Sequence, residues 1–439
     1  EESKRFYGVS PVMQPANRSE LVRVRVNPHG ELDLAAELQT LAARGLPHVL
    51  TGLSAVVPAW RPSTLRHINL RGVYVGLTPR FGPYWDASRP FARQPSDVFR
   101  GAPSHGYSEA SETISAADFF GASRPANLHL YYSAEIERDL SPNLLGELAP
   151  LERALVSLRP QRSSVNLWLG RNAASAPCHY DGYHNAFAQL HGSKRFIVAP
   201  PSAATLLRTY PFLHPSHAQC QAQLPSLAAA DLAAAGALEV QLSAGDLLYL
   251  PPLWFHETAA EGDSISVNGW TDSDEADAAA ELFALRRPAR PAESEGVPAA
   301  AAAAARLIDH LSSAVAGAPG DLSRRVWSER YASLLRELRL DWGSLPPLAC
   351  GALALASHGA HPAAAESSDA ATNGAVAEAQ AWVSAVARIS LARIPAASRP
   401  LWLGNLVELV AAEHVGVARV APLLSTMEAC RGADLRTQD

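Results

Sequence analysis

Residues 31–45, ELDLAAELQTLAARG, set Leu34, Leu38 and Leu41 at i, i+4 and i+7 among polar residues, with Gly45 after the last turn. Apolar groups at that spacing share one helix face, and a glycine just past the end readily takes the left-handed conformation that closes a helix. The pattern predicts an amphipathic helix. Upstream of residue 120 the remaining pattern is broken: the short apolar run GVYVGLTP precedes RFGPYWDASRPFARQPSD, which predicts a long ordered loop. From about residue 125 to 271 the period shortens. NLHLYYS, SVNLWLG, NAFAQLHG, KRFIVAPP, LEVQL, DLLYLPP, WFHETAA and SISVNGWT follow one another, each bounded by turn residues. Many short strands at this spacing predict a β-sandwich or barrel. A stretch at 202–236, SAATLLRTYPFLHPSHAQCQAQLPSLAAADLAAAG, interrupts them and reads as an insertion with helical pieces, of the kind that shapes the mouth of a site.

After residue 285 the pattern turns helical. RRPARPAESEGVP has linker composition, and the alanine run at 299–305 leads into segments where Trp382, Val386 and Ile389, and then Leu403, Leu406 and Val410, fall at helical spacing. SHGAHPAAAESSDAATNGA, around 357–375, predicts a flexible loop. Trp327, Trp342, Trp382 and Trp402 indicate that this tail packs. Three regions result: a mixed helical and strand region at 1–120, a β core at 121–285, and a Pro/Ala-rich linker with a helical region at 286–439.

Composition narrows the function. The 439 residues are 48% apolar and carry a net charge of −6 without a long basic run, which argues against a nucleic-acid partner. The four cysteines, Cys178, Cys220, Cys350 and Cys430, lie far apart with no CxxC pair, so neither a disulfide framework nor a zinc ribbon is expected. That favours a reducing compartment, cytoplasmic or nuclear. An organellar or secretory lumen stays open because the chain begins at Glu1 rather than Met. No run of 18 apolar residues is present, so no membrane span is expected.

Candidate chemistry centres on CHYDGYHN. Of fifteen histidines only His179 is followed by Asp two positions later. Residues i and i+2 of a strand point to one face, so His179 and Asp181 present an imidazole and a carboxylate to the same spot. His256, in GDLLYLPPLWFHET, is the candidate third ligand. Two imidazoles and a carboxylate leave three positions of an octahedral ion open, the arrangement by which non-haem Fe(II) oxygenases admit a cosubstrate and dioxygen. For a 2-oxoacid dicarboxylate, Lys194 stands where a returning strand would bring a cation to the distal carboxylate. Asn185 and Asn268 interrupt apolar strands, where amides are poor strand formers and ask for polar partners.

SVNLWLGRNAASAPCHYDGYHNAFAQLHGSKRFIVAPP followed by AGDLLYLPPLWFHETAAEGDSISVNGW resembles the JmjC (cupin-like) Fe(II)/2-oxoglutarate dioxygenases, most nearly their small hydroxylases, over roughly residues 125–275. The resemblance implies a double-stranded β-helix (jelly-roll, cupin) core, mainly β with flanking helices. It implies Fe(II) on His179, Asp181 and His256, with 2-oxoglutarate and dioxygen as cosubstrates. Lys194 would pair with the distal carboxylate, Asn185 and Asn268 would line the pocket, and Trp270 would wall it. His129 or Tyr131, which share one strand face, would add a second contact. The implied substrate is a protein or peptide side chain, lysyl first, with N-methyl-lysine demethylation or a degenerate, non-catalytic binding module as alternatives. Three positions depart from the family pattern. Ala176 stands where many relatives carry Ser or Thr, and Cys178 and Glu257 flank ligands. The C-terminal third has no counterpart in the small hydroxylases, and its helices suggest a homodimer contact or a substrate-positioning role.

Overall fold

The structure is a computed structural model. It describes residues 23–25, 31–77, 79, 111–121, 125, 127–316, 321–338, 350–353 and 370–436. The RFGPYWDASRPFARQPSD segment, Trp342 and most of the 357–375 stretch lie outside these.

Eleven strands among the described residues build the core. They are β1 (Arg23–Arg25), β2 (His48–Thr51), β3 (Asn69–Gly76), β4 (Ser111–Ser115), β5 (His129–Glu135), β6 (Ser163–Arg171), β7 (Ser175–Tyr180), β8 (Tyr183–Ala199), β9 (Leu238–Ser243), β10 (Leu247–Leu250) and β11 (Phe255–Asp272). Apart from the parallel β1–β2 pair, the ladders are antiparallel. Two pairs of expected strands are fused. NAFAQLHG and KRFIVAPP belong to the single strand β8, and WFHETAA and SISVNGWT to β11. The glycines between them bend the chain instead of ending its ladder. Gly192 has φ +67° and faces a register shift between Glu261 and Ile265, where Gly262 has φ +79°. A bulge of this kind turns a strand while pairing resumes beyond it.

Each long strand therefore serves two sheets. The first half of β8 lies between β10 and the second half of β11, and its second half lies between β9 and the first half of β11. The second half of β11 continues to β6, and its first half to β7. This is a cupin jelly-roll with flanking helices. The outer face of the larger sheet is covered by α1 (Glu31–Arg44) and α2 (Pro142–Leu155). Leu34, Leu38 and Leu41 of α1 and Leu148 and Leu151 of α2 bury against a core that includes Leu167, Leu169 and Val267. Gly45 closes α1 at φ +64°.

Beyond β11 come α3 (Asp274–Ala284), α4 (Gly296–Ala316), α5 (Asp321–Val326), a π-helical turn at Trp327–Tyr331, α6 (Ala332–Leu338), α7 (Ala370–Arg393), α8 (Arg399–Val415) and α9 (Val420–Arg436). Trp382, Val386 and Ile389 of α7 and Leu403, Leu406 and Val410 of α8 share one buried cluster. Residues 370–375, expected in a loop, open α7, in keeping with an alanine-rich run, alanine being the best helix former. The cysteines also need correcting. Cys350 and Cys430 form a disulfide with Cα atoms 5.2 Å apart, although 80 residues separate them. Sequence distance does not report which helices the bundle brings together. Cys178 and Cys220 are free and buried. No helix among the described residues is long and apolar enough to cross a membrane.

Candidate metal centre

β7 runs antiparallel to the first half of β11, and His179 lies opposite His256 in register. Their ring centroids are 4.2 Å apart. Asp181, expected on the same strand as His179, lies just past the end of β7 in the two-residue turn Asp181–Gly182. The Leu253 N–H donates to its carbonyl at 2.7 Å, which draws the approach to β11 against this turn. Asp181 Oδ2 then stands 3.6 Å from His256 Nε2. One ligand atom from each of the three residues lies within 4.8 Å of the others.

The imidazoles are oriented from behind. His179 Nδ1 is 2.6 Å from the Pro177 carbonyl and His256 Nδ1 is 3.1 Å from the Trp254 carbonyl. A carbonyl only accepts, so each Nδ1 carries the proton and each Nε2 keeps its lone pair, as metal-bound histidines do. Burial, and then the neighbouring His179, pull the His256 pKa down to about 4, which keeps the ring neutral. Asp181 Oδ2 is buried without a hydrogen bond. An orphaned carboxylate oxygen beside two inward lone pairs fits a divalent cation, and the His/Asp/His donor set fits Fe(II).

Lys194, on β8, is 1% exposed. Its Nζ lies 4.8 Å from the Phe187 ring and 5.6 Å from the Tyr131 ring. Among the described residues no carboxylate forms an ion pair with it. Burial pulls its pKa down to about 7. Tyr131 is the member of the β5 pair that reaches this spot, whereas His129 turns its Nδ1 to the Asn172 carbonyl at the end of β6. Trp168 Nε1 donates to Asn268 Oδ1 at 2.6 Å and Asn268 Nδ2 donates to Asn185 Oδ1 at 2.9 Å, which satisfies two buried amides in one chain across β6, β11 and β8. Trp270 packs edge-on against Trp168, with centroids 5.6 Å apart.

A cavity of about 490 Å³ opens at the histidine–aspartate cluster, lined by His179, Asp181, Asn166, Trp168, Trp270 and Gln219 among others. Part of its wall, Pro215–Gln219, comes from the insertion after β8. Cys220 N–H donates to the Cys178 carbonyl and Tyr180 N–H to the Ala218 carbonyl, so this segment runs as a short strand beside His179. The Cys178 and Cys220 sulfurs meet at 2.6 Å, and Glu257 accepts the Leu224 N–H at 3.2 Å. Both departures beside the ligands thus anchor the insertion. His214 and His217, in the same insertion, are turned inward. His214 stacks on Tyr210, and His217 lines the cavity with its pKa pulled down to about 4 by burial. Asn166, Trp168 and Gln219 escaped the sequence reading. Alternation with Leu167 and Leu169 marks the inward face of β6 and would have found the first two.

A family model described as "Cupin-like domain" matches residues 36–277. The chain is 32% identical over 155 residues to the human (Homo sapiens) bifunctional peptidase and (3S)-lysyl hydroxylase JMJD7, covering 30% of this chain and 49% of that protein. It is 36% identical over 115 residues to Jumonji C domain-containing protein 5 of Drosophila melanogaster, 25% of this chain and 28% of that one. With the lysine-specific demethylase JMJ31 of Arabidopsis thaliana it shares 30% over 116 residues, 25% of this chain and 21% of that one. The chain therefore spans from about a fifth to half the length of these relatives. The family match takes in more than half of the chain and every residue of the histidine–aspartate cluster, and on that ground the chain belongs to the cupin-like JmjC family.

Proposed function

We propose that this protein is an Fe(II)/2-oxoglutarate-dependent oxygenase that hydroxylates a protein or peptide side chain, with release of succinate and CO2. The observation that carries the reading is the three-residue cluster of His179, Asp181 and His256, with its inward lone pairs and orphaned carboxylate oxygen. Iron held there would supply the activation of dioxygen, chemistry that the side chains lack. The protein's part is to bind and orient. Pro177 and Trp254 hold the imidazoles in the ligating tautomer. Lys194 and Tyr131 would grip the distal carboxylate of 2-oxoglutarate, and the Asn185–Asn268–Trp168 chain would shape the pocket between the two ends. Trp270 and the Pro215–Gln219 wall would exclude water and seat the substrate.

A lysyl side chain is the first substrate class to test, supported by the likeness to a lysyl hydroxylase. N-methyl-lysine demethylation uses the same site and is supported by the likeness to a lysine-specific demethylase. Release of formaldehyde from a methyl-lysine peptide separates the two. The experiment that tests the core reading is succinate formation from 2-oxoglutarate, Fe(II) and ascorbate, comparing wild type with Asp181→Ala and Lys194→Ala. Turnover that is present in wild type and lost in both variants is expected. Absence of both turnover and 2-oxoglutarate binding in wild type points to a degenerate binding module instead.

A further inference from the structure

Of the four cysteines in the chain, Cys350 and Cys430 are joined to each other. The two thiols that remain, Cys178 and Cys220, are 42 residues apart in sequence and meet in space. The backbone brings them together. His179 and Gln219 form an antiparallel bridge, flanked by the Cys220 N–H donating to the Cys178 carbonyl at 2.9 Å and the Tyr180 N–H donating to the Ala218 carbonyl at 3.0 Å. In that pattern Cys178 stands directly opposite Cys220, at a hydrogen-bonded position of the ladder. Such positions hold their Cα atoms about 5.5 Å apart, within the roughly 4.4–6.8 Å that a disulfide spans. The sulfurs already touch, at 2.6 Å.

Side chains alternate along both segments, so neighbours face opposite ways. His179 and Gln219 line the cavity, whereas Cys178 and Cys220 lie behind them in an apolar cluster with Leu207, Leu224 and Phe255. The Pro215–Gln219 wall is therefore tied to β7 by backbone hydrogen bonds, and a covalent bond between the two sulfurs would tie it again from behind. Both cysteines are fully buried. That burial shuts out a bulky oxidant such as glutathione disulfide, while hydrogen peroxide, not much larger than water, can reach them. With Cys350 and Cys430 already joined, neither sulfur has another cysteine in the chain to pair with.

We propose that Cys178 and Cys220 are a redox couple, and that their oxidation by hydrogen peroxide closes a disulfide which clamps the Pro215–Gln219 wall of the cavity onto β7. In the first step one sulfur attacks the peroxide O–O bond and keeps one oxygen as a sulfenic acid, and its thiol proton leaves with the other oxygen as water. The second sulfur then displaces that hydroxyl, which departs with the second thiol proton as another water, and the S–S bond forms. In all, two thiols lose two electrons and two protons, and one peroxide is reduced to two waters. Contact between the sulfurs lets the second thiol intercept the sulfenic acid before it is oxidised further. A dithiol reductant reverses the bond. Oxidation thus fixes one side of the cavity mouth in place, whether or not the cavity houses an oxygenase.

The test treats the full chain, with Mn(II) in place of iron, with hydrogen peroxide, then unfolds it and counts its thiols by alkylation and mass spectrometry. The untreated protein is expected to show two reactive thiols and the treated protein none, with a peptide pair linked through Cys178 and Cys220 that dithiothreitol separates. Amide exchange at residues 209–220 should slow at least about tenfold in the linked protein and return on reduction. Cys220→Ala should form no link, carry its oxidation on Cys178 as sulfinic acid, and leave exchange unchanged by peroxide. If that variant fails to fold, the wild-type thiol count and exchange decide alone. Two thiols surviving peroxide, sulfinic acid without a link in wild type, or a link that leaves exchange as it was overturns the proposal. None of these outcomes touches the oxygenase reading, whose failure would show as absent succinate with the link still formed.

Discussion

His179 and His256 differ from His184 and His214 in what their second nitrogen meets. His184 Nδ1 is bonded to the Tyr249 hydroxyl, and His214 Nδ1 accepts the Ser216 N–H. In His179 and His256, Nδ1 is tied to a carbonyl two residues back, and each ring offers a nitrogen to the cluster with Asp181. Removing the carboxylate leaves two neutral imidazoles, so Asp181→Ala is expected to weaken Mn(II) binding more than about 100-fold, measured by calorimetry or by EPR of free Mn(II). Lys194 sets a pH dependence. Its free-state pKa is pulled down to about 7 by burial, and a bound carboxylate favours the charged form and raises it again. Below about pH 7 the lysine already holds its proton. Above that, binding must draw a proton from solvent. The Kd for 2-oxoglutarate is therefore expected to rise about tenfold per pH unit above neutrality until the bound-state pKa is reached, and a flat profile between pH 7 and 9 would contradict this.

At the scale of elements, the two long bent strands decide where the site lies. β8 carries Asn185 before its bend and Lys194 after it, and β11 carries His256 before and Asn268 after. A straight strand would keep these residues in one sheet. The bend at Gly192 distributes them over two. A Cβ at this position would stand 2.0 Å from the Asp263 carbonyl oxygen, on a backbone at φ +67°. Both the clash and the left-handed conformation oppose any other residue. Gly192→Ala is expected to cost at least about 2 kcal/mol, read as a shifted urea midpoint with an unchanged m-value. The same hinge explains why four predicted strands became two. Glycine and polar residues read equally well as a turn or as a bulge, and only the ladder partners tell them apart.

At the scale of the molecule, the C-terminal helices hold the back of the site. The π-helical turn at Trp327–Tyr331 turns Glu329, Arg330 and Tyr331 inward. Arg330 Nη1 donates to Glu408 Oε1 at 2.7 Å and to Asn405 Oδ1 at 2.6 Å, and the Tyr331 hydroxyl donates to Glu408 Oε2 at 2.8 Å. From this cluster contacts reach the insertion. Gln221 Nε2 donates to the Arg330 carbonyl at 2.7 Å, Ser333 Oγ to Gln221 Oε1 at 3.0 Å, and Thr205 Oγ1 to Glu329 Oε1 at 2.6 Å. Tyr180, between His179 and Asp181, shares a buried apolar cluster with Leu401 at the start of α8. Glu408→Gln leaves the Arg330 guanidinium buried without its counter-charge and is expected to cost about 3–5 kcal/mol in thermal or denaturant unfolding. Amide exchange at residues 209–220 should rise in the same variant. Exchange there equal to wild type would separate the bundle from the cavity wall.

The three residues of the histidine–aspartate cluster, and the change from a two-residue to a helical period, were open to reading from the chain alone. Such features are local: a strand's face alternates, a helix's face recurs, and a motif keeps its spacing. The choice of Tyr131 over His129 was not local, because both lie on one strand face and only the packing over Gly170 brings one of them to Lys194. Nor was the Cys350–Cys430 disulfide, or the clamp from Arg330 onto the insertion. Each joins segments far apart in the chain, and proximity of that kind is a product of packing in three dimensions. The sequence alone determined which groups were available to bind a metal and an anion. The tertiary structure decided which of them meet, because burial and register select among side chains that the pattern leaves equivalent.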